Sequence, residues 1–421
     1  MRFGIKPGLE RIQTLLNIMG NPHERLTTIH ITGTNGKGSV TAMVSQILVA
    51  AGFRVGSFTS PHLHSYSERF QIDQQMISES ELWELIGKIA PEAVKALEFG
   101  HGSLTEFEIL TALAFSYFDS QKVDIAVIEA GMGGIADSTN VITPIISAIT
   151  NVGLDHVEYL GKDRNSIAQN KAGIAKPGIP LVSGEQDLTV LEVLHEKARE
   201  IGAPFYRAQD IVKMEQVISM GLEGFRFDFS TINLRGRDIN LSLPGRFQLH
   251  NLLTALAIIE FLCQRGYKIS GQDVASALAR IKIPGRLELV SRNPDIVLDV
   301  AHNLEGARSV AEALEEIYPE KNRILVVGIL DDKDVPGILE SLRYQTRVCI
   351  VTRPDGPRGD NWKKCWREAE LIFPMVFGVE SIEDAVKKGL EVAKTGEYLL
   401  ITGSFMTLDR ARKMLTETKC G

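Results

Sequence analysis

The chain has 421 residues, too many for a single hydrophobic core, so its length predicts at least two domains. Apolar residues make up 44% and charged residues 24%, the balance of an ordinary globular protein. A net charge of −7 argues against nucleic acid as a partner, because phosphate binding needs a basic excess. The most apolar segment, residues 252–263, is about half the ~20 residues that a membrane crossing needs. We therefore expect a cytoplasmic protein without a membrane span.

Four cysteines are far apart in the sequence: Cys263, Cys349, Cys365 and Cys420. They form no CxxC pair, which is poor spacing for zinc and offers no disulfide framework. We therefore expect the protein to be located in a reducing compartment.

Segments typical of strands and helices alternate from the first residues onward, the pattern of a mostly parallel sheet covered by helices. The predicted strands are residues 28–32, 54–58, 123–128 and 145–149, and the predicted helices are 39–51 and 105–118. Residues 212–243 alternate between apolar and polar side chains, which predicts antiparallel strands on one edge of the sheet. Helices at residues 250–265 and 272–279 follow.

A Pro-Gly break in residues 283–288, IPGRLE, marks the predicted domain boundary. Beyond it the rhythm restarts, with predicted strands at residues 296–300, 324–328, 348–352 and 398–403. The predicted fold class is α/β. An N-terminal P-loop ATPase domain with a mostly parallel sheet comprises residues 1–284, and a smaller C-terminal Rossmann-like domain comprises residues 285–421.

The strongest local signal is TGTNGKGS, residues 32–39, between a predicted strand and a predicted helix. Glycines let successive backbone N–H groups face one centre, and the helix N-terminus adds partial positive charge. Lys37 is placed to reach the terminal phosphates of ATP, and Ser39 to help hold Mg²⁺. The predicted ATP-binding residues of this loop are Thr34, Asn35, Gly36, Lys37, Gly38 and Ser39.

The usual nucleotide loop has four residues between its first glycine and the Gly-Lys pair, whereas here only Thr34 and Asn35 intervene. The alternative interpretation is a glycine-rich turn with an exposed lysine. The order of strand, loop and helix favours phosphate binding.

Three further residues have two interpretations each. Glu129 ends a buried strand, the usual place for a ligand-binding carboxylate in an open α/β sheet, but many such glutamates are merely solvated. His156 follows another buried strand; a histidine there is more often structural, and imidazole is an unusual Mg²⁺ ligand. Lys171 lies near the end of a helix, which normally indicates a solvated charge that compensates the helix dipole.

The variant loop ITGTNGKGS resembles the ATP loop of the Mur ligase superfamily, specifically its folylpolyglutamate and dihydrofolate synthase branch. Eight more segments similar to that branch follow in the same order and extend over most of the chain. They are TSPHL (59–63), EAGMGG (129–134), LDHVEYLG (154–161), KAGIAKPG (171–178), LPGRFQLHN (243–251), PGRLE (284–288), DVAHN (299–303) and TGS (402–404).

The resemblance implies functions for residues that the local patterns leave undecided. It implies that Ser60, Glu129 and His156 share one Mg²⁺. It implies that Lys171 is carbamylated and offers an anionic oxygen to a second metal ion, chemistry that suits a desolvated lysine amine. It also implies ATP contacts from Asn251, Arg286 and Asp299, placement of glutamate by His302 and Ser404, and catalytic functions for Lys37 and His302.

The implied reaction is ATP-dependent ligation of L-glutamate to a folate, through an acyl phosphate, with release of ADP and phosphate. ATP and Mg²⁺ are the implied cofactors, with two metal sites, and we expect a monomer whose partners are small molecules. Whether dihydropteroate is also a substrate stays open. In one departure from the branch, Ile135 and Ala136 precede Asp137, where relatives usually carry an arginine, so substrate preference is also open.

Two alternatives remain. A cell-wall Mur ligase typically carries a further domain of about a hundred residues before the loop, whereas 32 residues precede Gly33 in this sequence. A P-loop switch that binds ATP only for signalling would not need a second Rossmann-like domain.

Overall fold

The computed structural model describes residues 8–417, and these form two compact units. The first unit comprises the chain up to Val217 together with Arg226–Asn240 and Leu249–Ile281. The second unit comprises Ile218–Phe225, Leu241–Gln248 and the residues from Lys282 onward. The chain therefore passes between the units more than once.

The first unit is built on an eight-stranded sheet. Its strands are β1 Thr28–Thr32, β2 Val55–Phe58, β3 Phe70–Ile72, β4 Gln75–Met76, β5 Ile125–Glu129, β6 Ile146–Ile149, β7 Leu181–Ser183 and β8 Phe205–Arg207. The strand order is β4-β3-β2-β5-β1-β6-β7-β8. In the part of this order that reads β2-β5-β1-β6-β7-β8, every pair of neighbouring strands is parallel. At the other end of the sheet, β3 pairs antiparallel with both β2 and β4. The central strands β1, β5 and β6 bury every residue, which explains their almost continuous apolar sequences.

The helices up to residue 278 are α1 Glu10–Ile18, α2 Lys37–Ala50, α3 Glu79–Ala96, α4 Glu106–Ser120, α5 Val157–Leu160, α6 Arg164–Ala172, α7 Leu188–Ile201, α8 Ala208–Ile211, α9 Arg246–Gln264 and α10 Gly271–Leu278. The start of α4 is fixed by a reciprocal pair of hydrogen bonds. The Glu108 N–H donates to the Thr105 hydroxyl at 3.2 Å, and the Thr105 N–H donates to the Glu108 carboxylate at 2.6 Å. This capping box satisfies two backbone donors that the helix would otherwise leave unpaired.

The alternating region forms its own three-stranded sheet, so the prediction that it adds to an edge of the main sheet was wrong. The strands are β9 Lys213–Ser219, β10 Phe225–Ser230 and β11 Arg235–Leu241, in the order β11-β10-β9. Short loops join consecutive strands, a connection open only to antiparallel neighbours. Alternation indicates that a strand has one buried face, but it does not indicate which sheet the strand joins.

The second unit contains a six-stranded sheet. Its strands are β12 Glu288–Ser291, β13 Asp295–Leu298, β14 Arg323–Val327, β15 Thr346–Val351, β16 Val376–Gly378 and β17 Tyr398–Thr402. The order is β12-β13-β17-β14-β15-β16, and only β12 pairs antiparallel with its neighbour. Its helices are α11 Leu304–Ile317, α12 Val335–Ser341, α13 Trp362–Ile372, α14 Ile382–Val392 and α15 Phe405–Glu417. The two parallel-rich sheets confirm the predicted α/β class.

Among residues 8–417, one helix is long and apolar enough to cross a membrane by length and composition alone. This is α9, with a mean hydropathy of 1.2, and 67% of the apolar window is buried within the protein. A helix packed in a protein core can have the same length and composition, so the resemblance to a membrane span is weak. The apolar segment at residues 252–263 forms the C-terminal part of this helix.

The free thiols of the described chain are Cys263, Cys349 and Cys365, and Cys420 lies outside the described residues. Burial raises the pKa of Cys263 to about 11 and that of Cys365 to about 12. Thiols with such pKa values stay protonated at neutral pH and are poor nucleophiles and metal ligands.

A buried ion pair joins α1 to α4, and its loss is expected to destabilise the first unit. Arg11 is 8% exposed and Glu108 is 1% exposed, with Arg11 Nε 2.9 Å from Glu108 Oε1. Arg11→Met would leave a buried carboxylate without its cation, at a cost of about 3 kcal/mol in the free energy of unfolding. Urea titration would measure it. Arg25→Met, which breaks the exposed pair with Asp119, is the control and should cost less than about 1 kcal/mol. Equal losses in the two variants would contradict the prediction.

Candidate active site

Four neighbouring parallel strands, β2, β5, β1 and β6, end at one edge of the first sheet. A predicted site residue, or the glycine loop, ends or follows each of these strands. Ser60 follows β2, Glu129 ends β5, the glycine loop follows β1, and His156 comes after β6. The carboxyl edge of an open parallel sheet is where such folds bind ligands. The topology therefore brings these four elements to the same edge.

The glycine loop turns sharply into α2. Gly36 has a left-handed φ of 82°, and the helix begins at the next residue, Lys37. The Lys37 ammonium folds back over the loop, donating to the carbonyl oxygens of Gly33 at 3.1 Å and Thr34 at 3.2 Å. A side chain at Gly36 would collide with Asn251, whose Cγ lies 2.9 Å from the position of an added Cβ. The predicted ATP contact Asn251 thus lies directly beside the loop.

The segment after β6 holds the glycine loop in place. The Thr34 N–H donates to the Asn151 carbonyl oxygen at 3.0 Å, and the Asn35 N–H donates to Asn151 Oδ1 at 2.8 Å. The Thr34 hydroxyl donates to the Gly153 carbonyl at 3.1 Å and accepts from the Gly153 N–H at 2.8 Å. The backbone of the loop is therefore bonded to residues 151–153 at several points.

Glu129 and Ser60 are brought together. Glu129 is 3% exposed, and the Ser60 N–H donates to its Oε2 at 3.3 Å. The same oxygen lies 3.5 Å from where a Cβ on Gly38 would stand, so the carboxylate faces the first turn of α2. His156 directly precedes α5 and has φ 50°, and its Nε2 lies 3.9 Å from Asp155 Oδ1.

Residues 8–417 contain no group of three or more His, Cys, Asp or Glu side chains that could hold a metal ion. A buried carboxylate beside a serine nevertheless suits Mg²⁺, which takes few protein oxygens and keeps several waters.

Lys171 is buried, which contradicts the interpretation of this lysine as a solvated helix-end charge. It lies in the last turn of α6 and is only 2% exposed. Its backbone abuts the glycine turn after β5, since a Cβ on Gly134 would lie 2.6 Å from the Lys171 carbonyl oxygen. A lysine withdrawn from water is costly unless it is paired or neutral. The folded protein must therefore hold this lysine either paired or neutral.

A buried polar chain that was not predicted from the sequence extends from Asp137 through Thr139 to His30. Asp137 accepts the Met132 N–H at 2.7 Å and the Thr139 N–H at 3.0 Å, and the Thr139 hydroxyl lies 2.7 Å from His30 Nε2. Burial raises the pKa of Asp137, against the opposing hydrogen bonds and the charge of Lys37. Burial lowers the pKa of His30 to about 3, so this imidazole is neutral. The Asp-x-Thr-Asn segment after the glycine turn was the available signal.

Arg69 is a further residue that was not predicted from the sequence. Its Nε donates to His62 Nδ1 at 2.9 Å. Burial lowers the pKa of the Arg69 guanidinium, and the carboxylates of Glu106, Glu129 and Glu68 oppose this shift. The guanidinium thus lies in the electrostatic field of Glu129. Nothing local in the sequence distinguished it from a solvated arginine.

Ile135 lies at the end of the glycine turn. Its side chain is 51% exposed, and its N–H donates to the Asn170 carbonyl at 3.1 Å. An apolar, exposed side chain therefore ends the glycine turn.

The predicted residues of the second unit lie at the carboxyl edge of its own sheet. Asp299, which follows β13, is 1% exposed and accepts the N–H groups of Leu287 at 2.9 Å and Ala301 at 2.8 Å. Burial raises its pKa, and the nearby charge of Arg286 opposes the shift. The bond from the Leu287 N–H to Asp299 therefore holds the PGRLE segment, residues 284–288, at the end of β13.

His302 and Ser404 follow the neighbouring strands β13 and β17. His302 Nδ1 lies 3.0 Å from the Val300 carbonyl oxygen, and its ring is 6.0 Å from that of Phe405. The Ser404 hydroxyl accepts the Thr407 N–H at 3.1 Å, inside the first turn of α15. Arg286, Asp299, His302 and Ser404 are thus gathered at one sheet edge.

Two family models match the chain. The Mur ligase middle domain matches residues 31–259, and the Mur ligase glutamate ligase domain matches residues 285–405. A dihydrofolate synthase/folylpolyglutamate synthase from Bacillus subtilis is 34% identical over 419 residues, covering 99% of this chain and 96% of the relative.

Solved structures agree with the sequence comparison. Folylpolyglutamate synthase from Mycobacterium tuberculosis, complexed with ADP, superposes with a TM-score of 0.92 at 33% identity, over 98% of this chain and 96% of that one. The bifunctional folylpolyglutamate synthase/dihydrofolate synthase from Yersinia pestis, complexed with AMPPNP and Mn ion, gives 0.85 at 31% identity, over 98% and 94%. The chain belongs to the folylpolyglutamate and dihydrofolate synthases of the Mur ligase family, which are ATP-dependent ligases that form amide bonds.

Proposed function

We propose that this protein ligates L-glutamate to folate and also to dihydropteroate, through an acyl phosphate. As a member of its family it is an ATP-dependent amide ligase, and the relative at 34% identity carries both synthase names. The observation that carries the proposal is the set of site residues at one sheet edge, with Lys37 over the glycine loop and Glu129 facing the start of α2.

The chemistry follows from the poor reactivity of a carboxylate. Phosphoryl transfer from ATP turns the substrate carboxylate into an acyl phosphate, which has a good leaving group. The amino group of glutamate then attacks the acyl carbon, and phosphate departs from the tetrahedral intermediate. Lys37 would neutralise charge that develops on the transferred group. Thr34, Asn35, Gly36, Gly38 and Ser39 would bind phosphates through the loop and the helix start.

ATP and a divalent metal ion are the cofactors of this ligase, and Mg²⁺ is the ion that we propose. Ser60, Glu129 and His156 would hold one ion, and a carbamate on Lys171 would offer oxygens to a second. A bound ion neutralises phosphate charge and orients the phosphates for in-line transfer. The buried Glu129 and Lys171 suit this assignment, because neither is an ordinary solvated surface charge.

The second unit would hold the remaining substrate groups. Asn251 of the first unit, with Arg286 and Asp299, would contact ATP. His302 and Ser404 would place the incoming glutamate, with His302 as a catalytic residue. We propose further that residues 1–284 and 285–421 are the two functional domains, and that the protein is a cytoplasmic monomer.

The decisive experiment measures phosphate release with ATP, glutamate and a panel of dihydropteroate and folates. Release that requires both glutamate and a pterin substrate is expected, with activity on both substrate types. Turnover indifferent to folates would favour a P-loop switch. Activity only with another acceptor would favour a different Mur-type ligase.

The proposed metal set makes a separate prediction. In a crystal structure with bound nucleotide and Mg²⁺, Ser60, Glu129 and His156 are expected to converge on one ion, directly or through water. Glu129→Gln should weaken Mg²⁺-dependent activity more than about 10-fold, because an amide is a poorer ligand than a carboxylate. Titration of activity against Mg²⁺ measures this. An ion bound with Glu129 and His156 both remote from it would refute the set.

A further inference from the structure

Residues 151–153, which hold the glycine loop, are themselves held by a pair of charged side chains outside the proposed site. The Val152 N–H donates to Glu185 Oε2 at 2.6 Å. On the other side of the same residue, Arg164 Nε donates to the Val152 carbonyl oxygen at 2.9 Å. Both polar backbone groups of Val152 are thus bonded to charged side chains, and such bonds are shorter and stronger than neutral ones.

Glu185 is well placed to act as a rigid anchor. It is 6% exposed and follows β7, the strand next to β6, so it lies at the same sheet edge as the glycine loop. Its Oε1 accepts the N–H groups of Gln186 at 2.8 Å and Asp187 at 2.9 Å. Arg164 closes the arrangement, with Nη2 3.4 Å from Glu185 Oε1 and Nη1 2.6 Å from Asp187 Oδ2. The carboxylate is therefore held from several directions.

We infer that Glu185 and Arg164 are positioning residues for ATP binding, acting through Val152 on the glycine loop. This inference rests on the proposed function of that loop. Val152 lies between Asn151 and Gly153, the residues that bond Thr34 and Asn35. A shift of the Val152 peptide would displace both partners of the loop together. Misplacement of binding groups by about 1 Å can cost about 100-fold in rate.

The first test is Glu185→Gln. An amide of the same shape has one oxygen in place of two, so either Val152 or the pair Gln186 and Asp187 loses its acceptor. We expect the Kd for ATP, measured with a fluorescent analogue, and the KM for ATP to rise about 10-fold. The KM values for glutamate and folate should stay unchanged. Arg164→Gln should raise the same two ATP constants, because the Val152 carbonyl loses its donor.

Glu108→Gln is the matched control. Glu108 is also a buried glutamate of the first unit, bonded to an arginine and to a backbone N–H, but it belongs to the α1 and α4 pair. Its loss should lower the unfolding temperature while the KM for ATP stays native. Should Glu185→Gln fail to fold, Glu185→Asp replaces it, because it keeps the charge but is one methylene shorter and cannot span both sets of donors.

The outcomes distinguish failure of the proposed function from failure of the positioning inference alone. If Lys37→Ala binds ATP as tightly as the native protein, the loop is not the phosphate site, and the proposed function falls together with this inference. If Lys37→Ala loses ATP affinity while folded Glu185 variants bind ATP normally, only the positioning inference is overturned. That inference also fails if Glu108→Gln raises the KM for ATP as much as Glu185→Gln does.

Discussion

Lys37→Ala is expected to lower kcat for glutamate ligation by about 10³-fold or more, because it removes the cation that we propose faces the transferred phosphoryl group. The lysine ammonium donates to the loop carbonyls of Gly33 and Thr34 within its own turn of chain, so its removal should leave the fold intact. Product formation measured by separation of glutamylated folates gives the rate, and thermal unfolding verifies that the variant is folded.

Lys88→Ala is the control for this prediction. Lys88 is an exposed lysine of α3 that pairs with Glu84 one helical turn away. Its loss should leave kcat unchanged, because an exposed pair contributes little to stability and lies outside the site. A folded Lys37→Ala variant with near-native product formation would exclude Lys37 from phosphate transfer.

Lys171→Ala is expected to abolish activity, which short carboxylic acids such as acetate should partly restore. The proposed carbamate offers two oxygens from a buried position, and a small carboxylate can occupy the space that the side chain vacates. Lys171→Glu should retain some metal binding for the same reason. Activity titrated against acetate, with propane-1-sulfonate as an anion that is a poor metal ligand, measures the rescue.

Lys176→Ala distinguishes this chemistry from the general effect of losing a half-buried lysine. Lys176 Nζ donates to the Asn140 carbonyl and side-chain oxygens, both at 3.0 Å, and burial lowers its pKa. The Lys176→Ala variant should be less stable than the native protein, and no carboxylic acid should restore the lost stability. Full activity of Lys171→Ala, or a bare ammonium paired with a carboxylate in a crystal structure, would end the carbamate proposal.

The parts of this protein that follow from local sequence were predicted well. The glycine loop and the buried strands depend on neighbouring residues alone, so β1 was placed at its observed bounds and β5 and β6 within two residues of theirs. Six strands were missed because each is only two to four residues long, too short for a clear apolar signal: β3, β4, β7, β8, β12 and β16.

Properties that depend on tertiary packing could not be predicted. Lys171 is buried, and its backbone lies against the glycine turn at Gly134, which is distant in sequence. The bond from Val152 to Glu185 likewise joins the segments after β6 and β7 through a contact that no sequence spacing indicates. Local composition reports the tendency to form an element, whereas such contacts exist only once the sheet has formed.

The order of strands in the first sheet has a consequence for folding. The glycine loop follows β1, but its neighbours in space follow β5 and β6, which join the sheet only after long connections have closed. Closing such connections costs chain entropy before any contact is gained, which makes parallel sheets slow to form. A nucleotide that binds only the completed edge should then stabilise the native state increasingly as its concentration rises above Kd. Chains emerging from synthesis would acquire ATP affinity late, after β6 has joined the sheet.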